Sequence, residues 1–134
     1  MPPLHLAAES RILVDSSVWV DFTRGKPETK PIIDLLEENR ILTHIFVEAE
    51  LRAGQLAIRR ESFFELFTQL EYTPVIPFDE LFTFIERRKA FAKGVSFVDI
   101  SLLLSALSIG AQLWSHDKNL IALADEFDFD VYTT

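Results

Sequence analysis

Short apolar runs of strand length alternate along this chain with segments of helical period, and that alternation limits the fold more than any other feature. Strand candidates fall at 11–15, 41–44, 73–77, 111–115 and 129–132. Between them, residues 16–24, 29–39, 45–56, 60–71, 79–93, 98–109 and 118–126 repeat their apolar positions at helical spacing. Gly25, Pro27 and Gly94 close helices, and Asp79 stands where a cap would start one. Parallel neighbouring strands need long crossover connections, which helices supply. The expected fold is therefore α/β: a three-layer α/β/α sandwich around a mainly parallel sheet of four or five strands. In such sheets ligands collect beyond the carboxyl ends of the strands, where strand order reverses.

Composition suits that fold. The 134 residues are 49% hydrophobic and 25% charged, which predicts one compact domain over 1–134, with 1–10 as an N-terminal extension. The apolar stretches are broken well short of the roughly 20 residues a membrane span needs. MPPLHLAAES lacks the charged leader and apolar core of a signal peptide. With no cysteine there is no disulfide, thiolate metal site or cysteine nucleophile, which agrees with a reducing, cytoplasmic setting.

Four acids stand where acids are costly. Asp15 ends the run RILV, Asp117 follows AQLWSH, Asp99 follows VSFV, and Glu50 falls within the arc of Phe46, Val47, Leu51 and Gly54 on a helical wheel. Glu48 falls opposite that arc, where it pairs with Arg52 at i, i+4. Asp99 shares a side with Leu102, Leu103, Ala106 and Ile109, while Ser101, Ser105 and Ser108 take the other side. The wheel thus expects Glu50 and Asp99 to point inward. Asp15 and Asp117 have a plain alternative as helix N-caps.

Buried carboxylates need a partner, a counter-ion or a raised pKa. Four of them sharing one cleft would repel one another until a cation entered, and oxygen ligands without cysteine select Mg²⁺ or Mn²⁺. Such ions activate water and stabilise a departing phosphodiester oxygen, so metal-dependent phosphodiester hydrolysis is the expected chemistry. The formal net charge of −8 disfavours nucleic acid, although 59-RR-60 and 86-ERRKAFAK-93 gather positive charge locally. Two other classes compete: a non-catalytic interaction module whose acids merely cap helices, and an aspartate-dependent phosphoryl-transfer protein. The phosphatase form of the latter wants an acid two residues after its nucleophile, where Ser17 stands.

The blocks 12-ILVDSSVWVDF-22, 43-THIFVEAELRAGQL-56, 94-GVSFVDISLLLSAL-107 and 111-AQLWSHDKNL-120 resemble, in order, the PIN-domain family and within it the VapC-type ribonuclease toxins of toxin–antitoxin pairs. The resemblance implies a Mg²⁺- or Mn²⁺-dependent endoribonuclease, commonly dimeric and neutralised by a small antitoxin. It maps the family's acids onto Asp15, Glu50, Asp99 and Asp117, with Asp15 and Asp99 as principal metal ligands. It places the family's strand-end hydroxyls at Ser16, Ser17 and Ser115. Ser16 stands where Thr is frequent, Ile45 where Pro often follows the histidine, and His116 where a basic residue commonly precedes the last acid. His116 is expected as a partly exposed strand-end residue that touches substrate. Phe63, Phe64, Phe67, Phe82 and Phe84 crowd two helices; core packing should absorb most, and any surplus would line a homodimer or antitoxin groove.

Overall fold

A computed structural model describes residues 10–133, so the expected extension over 1–10 lies, but for Ser10, outside the described residues. Four parallel strands form the sheet: β1 (Ile12–Val14), β2 (Ile41–Thr43), β3 (Glu71–Tyr72) and β4 (Gln112–Trp114), in the order β3-β2-β1-β4. Among the described residues seven α-helices join and cover them: α1 (Ser16–Thr23), α2 (Pro31–Glu37), α3 (Ile45–Ala53), α4 (Arg60–Phe67), α5 (Phe78–Arg88), α6 (Phe97–Ser108) and α7 (Lys118–Glu126). The register pairs Ile12 with Ile41 on one side and with Gln112 on the other, and Val14 with Trp114. The chain steps from β1 outward through β2 to β3, then returns to add β4 on the far side of β1. Strand order therefore reverses at the β1–β4 junction, and Asp15 and Ser115 leave the sheet together there.

The core follows from the apolar runs. Ile12, Leu13, Val14 and Leu42 are wholly buried, as strands covered on both faces must be. Trp19 of α1 packs against Phe63 and Phe67 of α4 at ring separations of 5.7 and 5.2 Å. Phe63, Phe64 and Phe67 are thus core, whereas Phe82 is exposed and Phe84 half-buried. Full burial of one such side chain is worth about 1.5–3 kcal/mol.

Several boundaries differ from the sequence reading, each for a local reason. The strand expected at 73–77 is displaced to Glu71–Tyr72, because Pro74 and Pro77 cannot donate to a ladder. The strand expected at 129–132 shrinks to a single bridge between Leu113 and Val131. Asp79 is not a cap: Pro77 holds that position and Asp79 lies in the first turn of α5. That helix stops at Lys89, which adopts a left-handed φ of 54°, and a 3₁₀ turn over Ala90–Ala92 follows. Along α6, Ser101 and Ser105 are buried, their hydroxyls bonded to the Phe97 and Pro74 carbonyls, while Ile109 beyond its end is exposed.

Candidate active site

Beyond the carboxyl ends of β1 and β4 lies an open cleft of about 600 Å³, lined by Asp15, Ser16, Ser17, Val20, Asp21, Glu50, Gly94, Ser96, Asp99 and Asp117. All four acids singled out in the sequence reach it. Among the described residues, five carboxylates line the cleft and no basic side chain does.

Asp15 is fixed by the strand that precedes it and the helix that follows. Its backbone N–H donates to the Trp114 carbonyl at 2.9 Å, which ties the residue to β4. Its Oδ1 accepts the Ser16 amide at 2.8 Å, the N-cap bond of α1. Its Oδ2 accepts the Ser17 and Ser115 hydroxyls at 2.9 and 2.8 Å. Each of those hydroxyls also accepts a strand-end amide: Ser17 from His116, Ser115 from Asp117, both at 3.0 Å. The three serines therefore make local bonds, but bonds that aim acids.

Asp117 caps α7 with one oxygen, Oδ1, which accepts the Asn119 and Leu120 amides at 2.9 and 3.1 Å. Asp99 is the third helical residue of α6 and forms a capping box with Ser96: each side chain accepts the other's amide at 3.1 Å. Its place so near the helix start allows Asp99 a capping role, and S-x-x-D at 96–99 is the motif that makes the box. Asp99 is half-buried at the cleft and does not point into the core. Glu50 departs further from expectation, for it is exposed. Val47 and Leu51 fill the buried side of α3, and Glu50 sits at the edge of their arc, where the helix borders the cleft. Its Oε1 accepts the Ser16 hydroxyl at 2.9 Å.

The electrostatics match a cluster short of positive charge. Desolvation pushes the Asp99 carboxyl up; the Ser96 amide opposes this, and Asp15 and Asp117 add repulsion. Desolvation also pushes Glu50 up against the Ser16 hydrogen bond, with Asp15 and Asp99 adding to the rise. Glu48, facing away, pairs with Arg52 at 2.7 Å and accepts the Tyr72 hydroxyl; these partners outweigh burial and lower its pKa.

Two supporting residues had no part in the sequence reading. Asp21 lies on the same face of α1 as Ser17 and lines the cleft, and its Oδ2 stands 2.6 Å from His116 Nδ1. His116 is partly exposed and held at the rim by that pair. His44 is wholly buried, and its Nδ1 accepts the Phe46 amide at 3.0 Å, capping the helix that carries Glu50. Burial lowers its pKa, which keeps the imidazole available as an acceptor.

The donor set is entirely oxygen, as Mg²⁺ and Mn²⁺ prefer. Among the described residues, no three acidic or imidazole groups form a ready-made cage for an ion.

The chain matches the PIN domain family over residues 12–126. It is 35% identical over 116 residues to Ribonuclease VapC32 of Mycobacterium tuberculosis, in strains CDC 1551 and H37Rv alike, covering 86% of this chain and 91% of each relative. A crystal structure of PAE2754 from Pyrobaculum aerophilum superposes with a TM-score of 0.55 at 19% identity, over 85% of this chain and 84% of that one.

Proposed function

This chain belongs to the PIN-domain family, and from that premise we propose that it is a Mg²⁺- or Mn²⁺-dependent endoribonuclease, the toxin of a toxin–antitoxin pair. The observation that carries the reading is the cleft itself, in which acids from four separate stretches of chain meet without a compensating base among the described residues. The curated relatives are named ribonucleases, which supports RNA as the substrate.

Asp15 and Asp99 are the principal ligands in this reading, with Glu50 and Asp117 completing the sphere directly or through water. The bound ion supplies a Lewis acid that polarises the phosphodiester and acidifies a water molecule. The protein supplies the rest. Ser17 and Ser115 hold Asp15 in one orientation, the Ser96 box holds Asp99, and the α7 cap leaves Asp117 Oδ2 free of the capping bonds. Water attacks phosphorus as a cleft carboxylate takes its proton, the bond to the departing sugar oxygen breaks, and that oxygen takes a proton from solvent. Glu50, exposed beside the other cleft acids, is best placed to take the water's proton. His116, fixed by Asp21, is a rim contact for RNA.

A non-catalytic module would use Asp15, Asp99 and Asp117 only as helix caps, and all three do make such bonds. Glu50 caps nothing. An exposed acid held to Ser16 beside three others has no structural duty that a scaffold would require.

A small antitoxin and a second copy of the chain are the partners this reading includes, with the cytoplasm as its setting. Phe63, Phe64 and Phe67 are core and leave the notion of an aromatic groove to α5, where Phe78 and Phe82 are exposed. The decisive assay is cleavage of a defined RNA panel by the purified protein with Mn²⁺ and with EDTA. Cutting that needs the metal supports the reading; a protein that cuts nothing under either condition overturns it.

A further inference from the structure

An apolar strip on the two helices that carry Glu50 and Asp99 is left unexplained by the acids. Phe97, the first residue of α6, follows cleft-lining Ser96 and precedes Asp99 by two positions, yet its side chain is 54% exposed. Its ring meets that of Phe46 edge to face, with centroids 5.9 Å apart. Phe46 lies one helical turn before Glu50 on α3, and its neighbour Ile45 is 47% exposed. The strip is therefore built from the same two helices that deliver Glu50 and Asp99. The exposed pair Phe78 and Phe82 contrasts with it: those rings pack against each other on α5, a helix that gives no residue to the cleft lining, whereas the helices of Phe46 and Phe97 give it Glu50 and Asp99.

An RNA-cleaving cleft of this charge has an affinity problem that stacking would solve. Phosphate neutralisation by basic side chains is the usual source of binding, but none lines the cleft. The basic run that leads into Gly94 is partly engaged, with Lys93 paired to Glu126 at 3.0 Å and Arg88 seated 4.9 Å over the Phe127 ring. Base stacking on an aromatic face needs no net charge and tolerates any base. Only an unpaired strand has a base face free to take part.

Building on the ribonuclease reading, we propose that Phe97, braced by Phe46, is a stacking platform for a nucleobase of single-stranded RNA next to the phosphate that is cut. Steady-state cleavage of a fluorescently labelled single-stranded RNA with Mn²⁺ tests it, comparing wild type with Phe97→Ala, Phe97→Leu and Phe97→Trp at low and high KCl. Sedimentation of each variant reports the oligomeric state. The alanine and leucine variants should raise KM about tenfold or more, with most of the loss in KM rather than kcat. The factor should be the same at both salt concentrations, because stacking is not a counterion effect. Phe97→Trp should restore KM, and its added fluorescence should be quenched by RNA in EDTA. Wild-type KM in the alanine and leucine variants of an active enzyme would overturn the subsite alone. So would a KM change that tracks conversion of a dimer to a monomer, which would make the strip a contact between copies. Loss of a protein partner with RNA kinetics intact would reassign the strip to that partner. A wild type that cleaves no RNA would remove the enzymatic reading and the subsite together.

Discussion

Ser115 is small, buried and doubly committed: its hydroxyl donates to Asp15 and accepts the Asp117 amide. Replacing it with alanine leaves the Asp117 amide without its partner and takes one of two hydroxyls from Asp15 Oδ2, so Ser115→Ala should cost about 1–3 kcal/mol, read as a lowered Tm. Metal-dependent cleavage should fall by roughly tenfold, since two cleft acids lose a bond that aims them. A second expectation concerns pH. Glu50 and Asp99 titrate higher in the folded protein than in the unfolded chain, so across that interval the folded state holds the extra protons. The share of metal-free stability that these two groups contribute should be greatest below the ordinary values of 4.5 and 3.8 and decline as pH rises through the raised ones, while Glu48, held low by Tyr72 and Arg52, contributes in the opposite sense. Thermal melts in EDTA across that window check the sign, and for these two groups a rise would contradict it. Glu50→Gln should lessen the decline. The four acids were legible because a carboxylate in an apolar setting is conspicuous in sequence. Asp21 was not, since a wheel counted from Trp19 and Phe22 makes it an ordinary surface acid; only the Ser17 face identifies it.

Between elements, one hydrogen bond joins the two sides of the cleft. Asn119 in the first turn of α7 donates its side-chain amide to the Gly94 carbonyl at 3.0 Å, across 25 positions of sequence. Gly94 leads into the capping box of Asp99, while Asn119 follows the cap made by Asp117, so this bond sets how the two acids face each other. Asn119→Ala should weaken Mn²⁺ binding about tenfold in calorimetry while leaving the metal-free Tm nearly unchanged, because the bond is exposed. Wild-type affinity would show that the spacing is set elsewhere. Gly94→Ala should be harsher, costing on the order of 1–2 kcal/mol. The backbone there has a φ of +72°, and a Cβ would stand 2.8 Å from the Asn119 amide nitrogen. Helix existence and order were readable from period, but helix ends were not. Proline moved β3 and the start of α5, and the left-handed Lys89 cut α5 short at a point where the apolar pattern continues. Only the inward orientation expected of Glu50 is overturned, for a related reason: periodicity gives the side of a helix, and only packing reveals whether core or cleft covers its edge.

For the molecule as a whole, alternation of strand and helix was enough to imply a parallel sheet and hence a site at its carboxyl edge. The strand order was not implied by it. That order places β1 beside β4, so Asp15 and Asp117 meet although about a hundred residues separate them. The net charge of −8 also becomes intelligible at this scale, because part of the acidity is concentrated where a cation would be held. Central to the account is that these distant carboxylates share one ion. Calorimetric titration of Mn²⁺ into the wild type, Asp15→Asn and Asp99→Asn, each confirmed folded by its melting curve, tests this most directly. The account predicts saturable binding by the wild type and at least tenfold weaker binding by both variants. Equal affinity in all three proteins, or no binding by the wild type, would contradict it.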